Sequence, residues 1–342
     1  MIKEAIQILV SGRSLTAAEA ASVMNEIMEG KATLVQLGGF LVAMRMKGET
    51  AEEITGLVSV MRAKALHVNT PEPVLDIVGT GGDGTGTFNI STAASFVAAG
   101  AGIKIAKHGN RAASSRCGSA DVLEALGIKI ELTAEQVQKC IEQVGIGFMF
   151  APAFHPAMKY VGAPRRELAI RTFFNILGPL ANPANAEYQV IGVPDHKLVE
   201  TLAGVLSYLN TKHALVVHGA GGMDEISISG ESMVWEIKNK EILPPYRISP
   251  ENFGMKIAPT TEIQGGTPEE NARILRSIFK GEKSPRRDIV ILNAAAGMLT
   301  AERVNTIQQG ITLASKVIDG GKALEKMEQL ISFTKNMENV VR

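Results

Sequence analysis

A glycine-rich stretch, "IVGTGGDGTGTFNIST" at residues 77–92, contains residue types that could bind a ligand through backbone N–H groups and side-chain hydroxyls. Gly79, Gly81 and Gly84 satisfy the pattern G-x-G-x-x-G, and Ser91 and Thr92 end the stretch with two hydroxyls. In a strand–loop–helix unit, the backbone N–H groups of such a turn converge with the helix N-terminus on anionic oxygens. The stretch therefore predicts a phosphate ligand, with a glycine turn that binds nothing as the alternative.

The strand that follows argues against a dinucleotide. Dinucleotide-binding folds place Asp or Glu at the end of the second strand, where the carboxylate holds the ribose hydroxyls. Here the predicted strand "IKIAK" ends at Lys107, and His108 and Arg111 follow. Because a cation at this position favours phosphate oxygens, we expect the loop to bind some other phosphate.

A second loop, "KHGNRAASSRCGSAD" at residues 107–121, supplies further groups for an anion. Lys107 offers a point charge, and Ser114, Ser115 and Ser119 offer hydroxyls. Ligands of open α/β sheets bind at the carboxyl ends of the strands, so two such loops after successive strands predict one shared site. A solvated turn is the alternative for this loop.

An adjacent acidic pair, Asp224 and Glu225, follows the apolar run "HALVVHG" and a glycine-rich turn. Mg²⁺ is commonly held by one or two carboxylates together with substrate phosphate oxygens and water. The position of the pair after a predicted strand indicates a magnesium site, and a solvated surface pair is the alternative.

The elements that must position these residues differ between the two parts of the chain. The first 70 residues show helices only, begun by capping boxes and separated by Gly12, Gly30 and Gly48. The three boxes pair Thr16 with Glu19, Thr33 with Gln36, and Thr50 with Glu53.

After residue 73, strands alternate with helices, which is typical of an α/β domain. The predicted strands are "VLDIV" (74–78), "IKIAK" (103–107), "QVIGV" (189–193), "HALVVHG" (213–219) and "DIVILNAAAG" (288–297). We predict an α/β protein with a small, all-helical N-terminal domain (1–70, with a returning segment near 160–182). Residues 71–342 are expected to form a large domain with a mainly parallel central sheet.

Charge and cysteine content exclude several function classes. Lys and Arg together number 35, as do Asp and Glu, so the formal net charge is zero and non-specific nucleic-acid or membrane binding is not expected. The two cysteines, Cys117 and Cys140, cannot build a disulfide framework. No apolar run reaches the roughly 18 residues of a membrane span, and the N-terminus lacks the pattern of a signal peptide. We expect a soluble, cytoplasmic protein.

Three segments together resemble the anthranilate phosphoribosyltransferase family of tryptophan biosynthesis. "GTGGDGTGTFNIST" is similar to its loop for phosphoribosyl pyrophosphate (PRPP), "KHGNRAASSRCGSADVLEALG" to its second loop, and "HPAMKYVGAPRRELAIRTFFNILGPLANP" to its hinge and acceptor region. The "GMDEIS" segment matches the metal pair. The resemblance implies transfer of the phosphoribosyl group of PRPP to anthranilate, with Mg²⁺, by a homodimer joined through the helical domain. It also implies the fold that the family shares with pyrimidine nucleoside phosphorylases.

The resemblance implies three sets of site residues. The PRPP site would comprise Gly79, Thr80, Gly81, Gly82, Asp83, Thr87, Asn89, Ser91, Thr92, Lys107 and Ser119. Anthranilate would contact Gly79, His108, Asn110, His155 and Arg165, and Mg²⁺ would be held by Ser91, Asp224 and Glu225. Ala169 and Cys117 depart from the residues that are frequent in the family, and neither departure removes a charge.

Several roles have alternatives at the residue level. An aryl amine is already neutral near pH 7, so His108 is expected to shape the site in preference to acting as a general base. Arg165 suits the anthranilate carboxylate, and a surface ion pair between Arg165 or Arg166 and Glu167 is the alternative. His155 could equally be a structural histidine. For the whole chain, the alternatives are a pyrimidine nucleoside phosphorylase and a non-catalytic relative that binds nucleic acid.

Overall fold

A computed structural model describes residues 1–112, 115–209 and 211–337 of the chain. Four helices begin it: α1 (Ile2–Val10), α2 (Ala17–Met28), α3 (Leu34–Lys47) and α4 (Ala51–Ala63). All three predicted capping boxes form, with Thr16, Thr33 and Thr50 as the N-caps of α2, α3 and α4. The sequence prediction of a helical N-terminal domain is confirmed.

The buried Glu53 joins these helices. Its carboxylate accepts from the backbone N–H of Thr50 and of Leu15, both at 2.9 Å, and from Nζ of Lys47 at 2.8 Å. A buried carboxylate is stable only where such partners replace its hydration. Glu53 therefore fixes the start of α4 against the segment that leads into α2.

The larger domain is built around an eight-stranded sheet of order β3-β2-β1-β4-β5-β6-β7, with β8 paired to β6. Its strands are β1 (Leu75–Gly79), β2 (Ile105–Gly109), β3 (Ile146–Phe150), β4 (Tyr188–Gly192), β5 (His213–His218), β6 (Ser232–Lys238), β7 (Glu241–Ile242) and β8 (Tyr246–Ile248). Strands β1 to β5 are parallel, and β6 to β8 are antiparallel. The predicted α/β class and mainly parallel sheet are confirmed.

Helices connect and cover the strands. The first part of the domain contains α5 (Ile90–Gly100), α6 (Ser119–Leu126), α7 (Ala134–Lys139, continued by a π-helical turn), α8 (Ala151–Phe154), α9 (Gly162–Leu168), α10 (Phe174–Leu180) and α11 (His196–Tyr208). The C-terminal part contains α12 (Pro268–Phe279), α13 (Pro285–Thr300), α14 (Ile307–Asp319) and α15 (Lys322–Asn336). The chain order reverses at β1, which has β2 on one side and β4 on the other, and ligands bind beside such a reversal in open α/β sheets.

One predicted strand is wrong. "DIVILNAAAG" lies within α13, which Ser284 caps by accepting from the N–H of Arg287, with Pro285 as the first helical residue. Almost every residue of α13 is buried, so the helix lacks the polar face that would show a period of 3.6 residues. The boundaries of β1 and β2 lie one or two residues later than predicted, and β3, β6, β7 and β8 were not predicted from the sequence.

Two hydrophobic clusters stabilise the chain. One lies between the central sheet and the helices that pack against it, including α5 and α13. The other joins buried residues of α1 to α4 with residues 161–181, with α11 and with residues of β4 and β5. The segment 161–181 therefore packs with the N-terminal helices as well as with the sheet.

The two cysteines are buried and unpaired, as expected. Among the described residues, no helix is both long and apolar enough to cross a membrane.

Candidate active site

The glycine-rich loop lies between β1 and α5, as predicted. Gly81, Gly82, Gly84 and Gly86 all have positive φ, which other residues rarely adopt, so the loop can follow this path only with glycine at these positions. Helix α5 then begins at Ile90, and its first turn carries Ser91 and Thr92. The loop therefore ends at the N-terminus of a helix, where anions are favoured.

The acidic pair contacts both ends of this loop. Oδ2 of Asp224 accepts from the N–H of Gly81 at 2.7 Å, and Oε1 of Glu225 accepts from the N–H of Ser91 at 3.1 Å. Both carboxylates are buried, and burial raises the pKa of Asp224 to about 7, with the nearby Asp83 adding to the rise. Burial, followed by the charge of Asp224, raises the pKa of Glu225 well above its ordinary value. The pair is thus a buried concentration of negative charge that a cation would stabilise.

The acidic pair is the candidate position for a metal ion. Within residues 1–112, 115–209 and 211–337, no group of three or more His, Cys, Asp or Glu side chains converges as a metal site. Mg²⁺ usually retains water and takes phosphate oxygens beside one or two carboxylates. Asp224 and Glu225 therefore fit a Mg²⁺ ion that arrives with a phosphate-bearing substrate.

Two glycines leave room for Asp224. A Cβ on Gly79 would lie 2.1 Å from Oδ2 of Asp224, and a Cβ on Gly192 would lie 1.6 Å from its backbone oxygen. Both contacts are too short for any real side chain. Gly192 must therefore be glycine for the Asp224 backbone to approach, and a side chain at Gly79 would displace the Asp224 carboxylate.

Replacing Gly192 with alanine should destabilise the protein by about 1–3 kcal/mol and displace Asp224, since the opposing atom belongs to the backbone and cannot rotate away. Urea denaturation would measure the free energy of unfolding. Gly38→Ala in α3 is the matched control: its Cβ meets nothing within 4 Å, so it should stabilise the helix by up to about 1 kcal/mol. Equal effects of the two substitutions would contradict this account.

Lys107 is buried beneath the loop, close to the acidic pair. Its Nζ donates to the backbone oxygen of Ile77 at 2.6 Å and lies 3.5 Å from Oγ of Ser91. Burial lowers the pKa of Lys107, while Asp76 and Glu225 act in the opposite direction. The Lys107 side chain therefore lies beside β1 and the first turn of α5, and its contact with phosphate remains a prediction.

The second loop is tied to the first by Asn89. Its Nδ2 donates to the backbone oxygen of Cys117 at 3.1 Å, and its Oδ1 accepts from Nδ2 of Asn271 at 2.9 Å. Ser119 Oγ donates to the backbone oxygen of Asn110 at 3.3 Å. Asn89 thus joins the two loops. Ser114, which the sequence also indicated for the second loop, lies outside the described residues.

Three threonines of the PRPP set differ in their surroundings. The hydroxyls of Thr80 and Thr92 are buried and have no hydrogen-bond partner in the described part of the chain. Thr87 instead forms an isolated backbone bridge with Gln264. Buried hydroxyls normally find partners, so both threonines have unused hydrogen-bonding capacity. Thr80 begins the loop, whereas Thr92 lines a small cavity with Phe96 and Phe148.

His108 and His155 lie together, with ring centroids 5.1 Å apart. Nδ1 of His108 is 3.0 Å from the backbone oxygen of Gly178, and since a carbonyl only accepts, this nitrogen carries the proton. Burial lowers the pKa of His108 to about 3 and that of His155 to about 4. Both imidazoles are therefore neutral at pH 7, and so low a pKa suits His108 poorly to general-base catalysis.

The neutral state of His155 predicts a pH-dependent stability. The unfolded chain protonates this imidazole near pH 6.5 and the folded chain only near pH 4, so wild type loses stability as the pH falls through that window. Relative to His155→Gln, the free energy of unfolding of wild type should fall by about 2 kcal/mol between pH 7.5 and 5. Urea denaturation at several pH values would measure this difference, and a constant difference would contradict the prediction.

Arg165 lies in α9 with its guanidinium 5.3 Å from the centre of the Phe174 ring. Burial lowers its pKa. Within the described residues it forms no ion pair, with Glu167 or with any other carboxylate, so the surface-pair alternative is not supported. The structure also shows no hydrogen bond from Arg165 to His108, Asn110 or His155 within the same residues.

The comparisons with known proteins agree with this geometry. Residues 3–65 match a family model described as the glycosyl transferase family, helical bundle domain, and residues 71–324 match the a/b domain of the same family. An anthranilate phosphoribosyltransferase of Dehalococcoides mccartyi is 61% identical over 98% of this chain and 99% of its own length. The chain belongs to the anthranilate phosphoribosyltransferase family. It is an enzyme, a phosphoribosyltransferase.

Solved structures of this family have the same fold. The anthranilate phosphoribosyltransferase of Thermus thermophilus superposes with a TM-score of 0.92 at 44% identity, covering 97% of this chain and 99% of that one. The enzyme of Saccharomyces cerevisiae, solved in complex with PRPP and Mg, superposes with a TM-score of 0.90 at 30% identity and covers 98% of each chain.

A buried carboxylate that the sequence did not predict lies next to the candidate site. Asp76, within β1, is fully buried, and its Oδ2 accepts from Nδ2 of Asn182 at 2.7 Å and from the N–H of His108 at 3.4 Å. Burial raises the pKa of Asp76 to about 6, and the charge of Lys107 acts against that rise. An acidic residue inside the apolar string "VLDIV" was the available signal, because a charge is buried only with a partner.

A cleft of about 560 Å³ lies beside the glycine loop, between the helical domain and the ends of β4 and β5. Its lining includes Arg45 and Glu49 from the helical domain, Asp83 from the loop and Arg171 from the segment after α9. Arg171 was not among the residues that the sequence predicted for the site.

Proposed function

We propose that this chain transfers the phosphoribosyl group of PRPP to the amine of anthranilate, giving N-(5-phosphoribosyl)anthranilate and pyrophosphate, in tryptophan biosynthesis. The observation that carries the proposal is the convergence of the glycine loop and the acidic pair through the Gly81–Asp224 and Ser91–Glu225 hydrogen bonds. This arrangement places two buried carboxylates against a glycine loop of the kind that binds phosphate oxygens, as a substrate that carries a diphosphate and a divalent cation requires.

The proposed PRPP site comprises the two loops and Lys107. As pyrophosphate leaves the anomeric carbon, negative charge grows on the leaving oxygens, and prearranged N–H donors stabilise that charge. Its proposed residues are Gly79, Thr80, Gly81, Gly82, Asp83, Thr87, Asn89, Ser91, Thr92, Lys107 and Ser119. The buried, unpartnered hydroxyl of Thr80, at the start of the loop, supports the assignment.

We propose that Asp224, Glu225 and Ser91 hold Mg²⁺ together with the substrate. When bound, the ion supplies positive charge that stabilises the departing diphosphate. The two buried carboxylates with raised pKa values support this role, since a cation removes the cost of their burial.

Anthranilate is proposed to lie between the second loop and α9, in contact with Gly79, His108, Asn110, His155 and Arg165. The side chain of Arg165 is half-buried and free of carboxylate partners in the described chain, which suits it to the substrate carboxylate. The neutral imidazoles of His108 and His155 suit the wall of an aromatic-substrate site. No strong base is needed, because the attacking aryl amine is already neutral.

The test is an anthranilate fluorescence assay. Anthranilate fluorescence should fall when enzyme, PRPP and Mg²⁺ are mixed, and omission of any one component should abolish the change. Phosphorolysis of thymidine or uridine without anthranilate turnover would instead indicate a pyrimidine nucleoside phosphorylase. Salt-dependent retention on DNA without turnover would indicate a nucleic-acid-binding relative.

We further propose a homodimer joined through the helical domain. Val35 and Met46 of α3 are 85% and 84% exposed, and Val10 of α1, Leu34 and Met1 are also largely exposed. Val35 and Met46 are eleven residues apart on α3, about three helical turns, so they lie on the same face of that helix. Exposed apolar surface of this kind is typical of a protein interface.

The double substitution Val35→Glu and Met46→Glu should convert the dimer to a monomer, because it would bury charges in the interface. Size-exclusion chromatography with light scattering would measure the mass. Ile257→Glu, at an exposed apolar residue outside α1 and α3, is the control that should leave the mass unchanged. A wild-type monomer, or a dimer that survives the double substitution, would contradict the proposal.

Domain division and location complete the proposal. We assign residues 1–70 and a returning segment near 160–182 to the helical domain, and 71–342 to the PRPP-binding domain. The hydrophobic cluster shared by α1 to α4 and residues 161–181 supports this division. The cytoplasm is the proposed location, supported by two buried, unpaired cysteines.

A further inference from the structure

Arg171 connects the segment after α9 with the glycine loop. Ala169 ends α9 in the left-handed conformation, with φ of 52°, and the chain then runs towards β1. The Arg171 guanidinium donates from Nη1 to the backbone oxygen of Gly82 at 2.9 Å and from Nη2 to that of Gly81 at 3.0 Å. A planar guanidinium that donates to two successive carbonyls fixes the orientation of two successive peptide planes.

This orientation decides where the loop N–H groups point. In a planar trans peptide, the N–H points away from the C=O of the same unit. With the Gly81 and Gly82 carbonyls turned to Arg171, the N–H groups of Gly82 and Asp83 face the other way. Within residues 1–112, 115–209 and 211–337, neither N–H donates to a protein acceptor. Two successive free N–H groups of this kind form an anion-binding concavity.

The contact between Arg171 and the loop is close. A Cβ on Gly82 would lie only 2.2 Å from Nη1 of Arg171, so the guanidinium occupies the space that a side chain at position 82 would need. Arg171 has no carboxylate partner in the described chain. The exposed guanidinium is therefore free of a competing ion pair, and the hydrogen bonds that it donates are to the two loop carbonyls.

We propose that Arg171 is a positioning residue, which holds the Gly81 and Gly82 peptides so that the N–H groups of Gly82 and Asp83 face the diphosphate of PRPP. This proposal rests on the proposed function, since PRPP is taken as the ligand of the loop. The returning segment near residues 160–182 also carries Arg165, which is proposed to contact anthranilate. The two substrate sites are thus linked by one short piece of backbone.

Arg171→Ala should raise the KM for PRPP about ten- to a hundredfold, the loss expected when charge-assisted hydrogen bonds are removed, and leave the KM for anthranilate within about twofold. Arg171→Lys keeps the charge but not the paired donors, and should recover only part of the loss. Added guanidinium ion should partly restore Arg171→Ala. Arg166→Ala, at an exposed arginine of α9, is the matched control and should behave as wild type.

Arg171→Ala with a wild-type KM for PRPP would overturn the proposal, as would Arg171→Lys indistinguishable from wild type. If circular dichroism shows that Arg171→Ala does not fold, the KM for PRPP is compared between wild type and the variants Arg171→Lys and Arg171→Gln instead. Calorimetric titration with Mg²⁺ and inorganic pyrophosphate separates this proposal from the proposed function. If wild type shows no anthranilate turnover, the proposed function is refuted. Weaker pyrophosphate binding by the Arg171 variants than by wild type would still support the positioning role of Arg171. Equal pyrophosphate binding by wild type and the variants would refute that positioning role.

Discussion

Asp224→Asn is expected to lower kcat/KM for PRPP by about a hundredfold to a thousandfold and to raise the Mg²⁺ concentration needed for half-maximal rate. The asparagine oxygen can still accept from the Gly81 N–H, so the loop keeps its hydrogen bond while the site loses a negative charge. Without Mg²⁺, the thermal midpoint should not fall, because a buried amide costs less free energy than a buried carboxylate. Activity and stability are thus expected to change independently.

Initial rates from anthranilate fluorescence across a Mg²⁺ series, with melting curves on the same preparations, would measure both effects. Asp195→Asn is the matched control, since Asp195 lines the neighbouring cleft and caps α11 by accepting from the N–H of Lys197 at 3.0 Å. It should lose at most about 1 kcal/mol of stability and keep its Mg²⁺ dependence. Unchanged Mg²⁺ dependence in Asp224→Asn would remove Asp224 from the proposed metal site.

The sequence predicted those parts of the site whose functional groups all come from one short, continuous segment of the chain. The glycine loop is one such stretch, because positive φ at Gly81 and Gly82 requires glycine and so marks the sequence. Asp224 and Glu225 are another, since two acidic residues after an apolar strand are conspicuous. The glycine loop and the acidic pair lie together because each follows a strand of the parallel part of the sheet. The carboxyl ends of parallel strands lie at one edge of the sheet.

Arg171 could not be predicted in the same way. Its partners are backbone carbonyls 89 and 90 residues away, and every residue of the chain carries such an acceptor. The sequence pattern around Arg171 therefore gives no indication of which carbonyls it meets. Only the fold, which returns the segment after α9 to the end of β1, makes that contact.

The error at α13 has a related cause. Hydrophobic periodicity separates helix from strand only when one face of the element is polar. Helix α13 packs against α5 and α14 and against the sheet, so its apolar sequence satisfies either assignment. Ser284 followed by Pro285 was the stronger signal, because both are favoured at the first positions of a helix.

Arg165→Ala should raise the KM for anthranilate about ten- to a hundredfold and leave the KM for PRPP nearly unchanged. The guanidinium can grip both carboxylate oxygens, and charged hydrogen bonds of this kind contribute about 1.5–3 kcal/mol. PRPP is expected to be unaffected because the glycine loop and the acidic pair form hydrogen bonds with each other and none with Arg165 within the described chain. Steady-state kinetics with each substrate varied in turn would measure the two constants.

The comparison with Arg166→Ala makes this prediction specific. Arg166 is the next residue of α9 and is exposed, whereas Arg165 is half-buried over the Phe174 ring. Both variants remove one positive charge from the same turn, so a general electrostatic effect on anionic substrates would appear in both. A selective effect of Arg165 on anthranilate requires direct contact with the carboxylate. An equal rise in the KM for both substrates in Arg165→Ala would instead indicate that α9 supports the whole segment near residues 160–182, including Arg171. The anthranilate carboxylate would then be bound elsewhere.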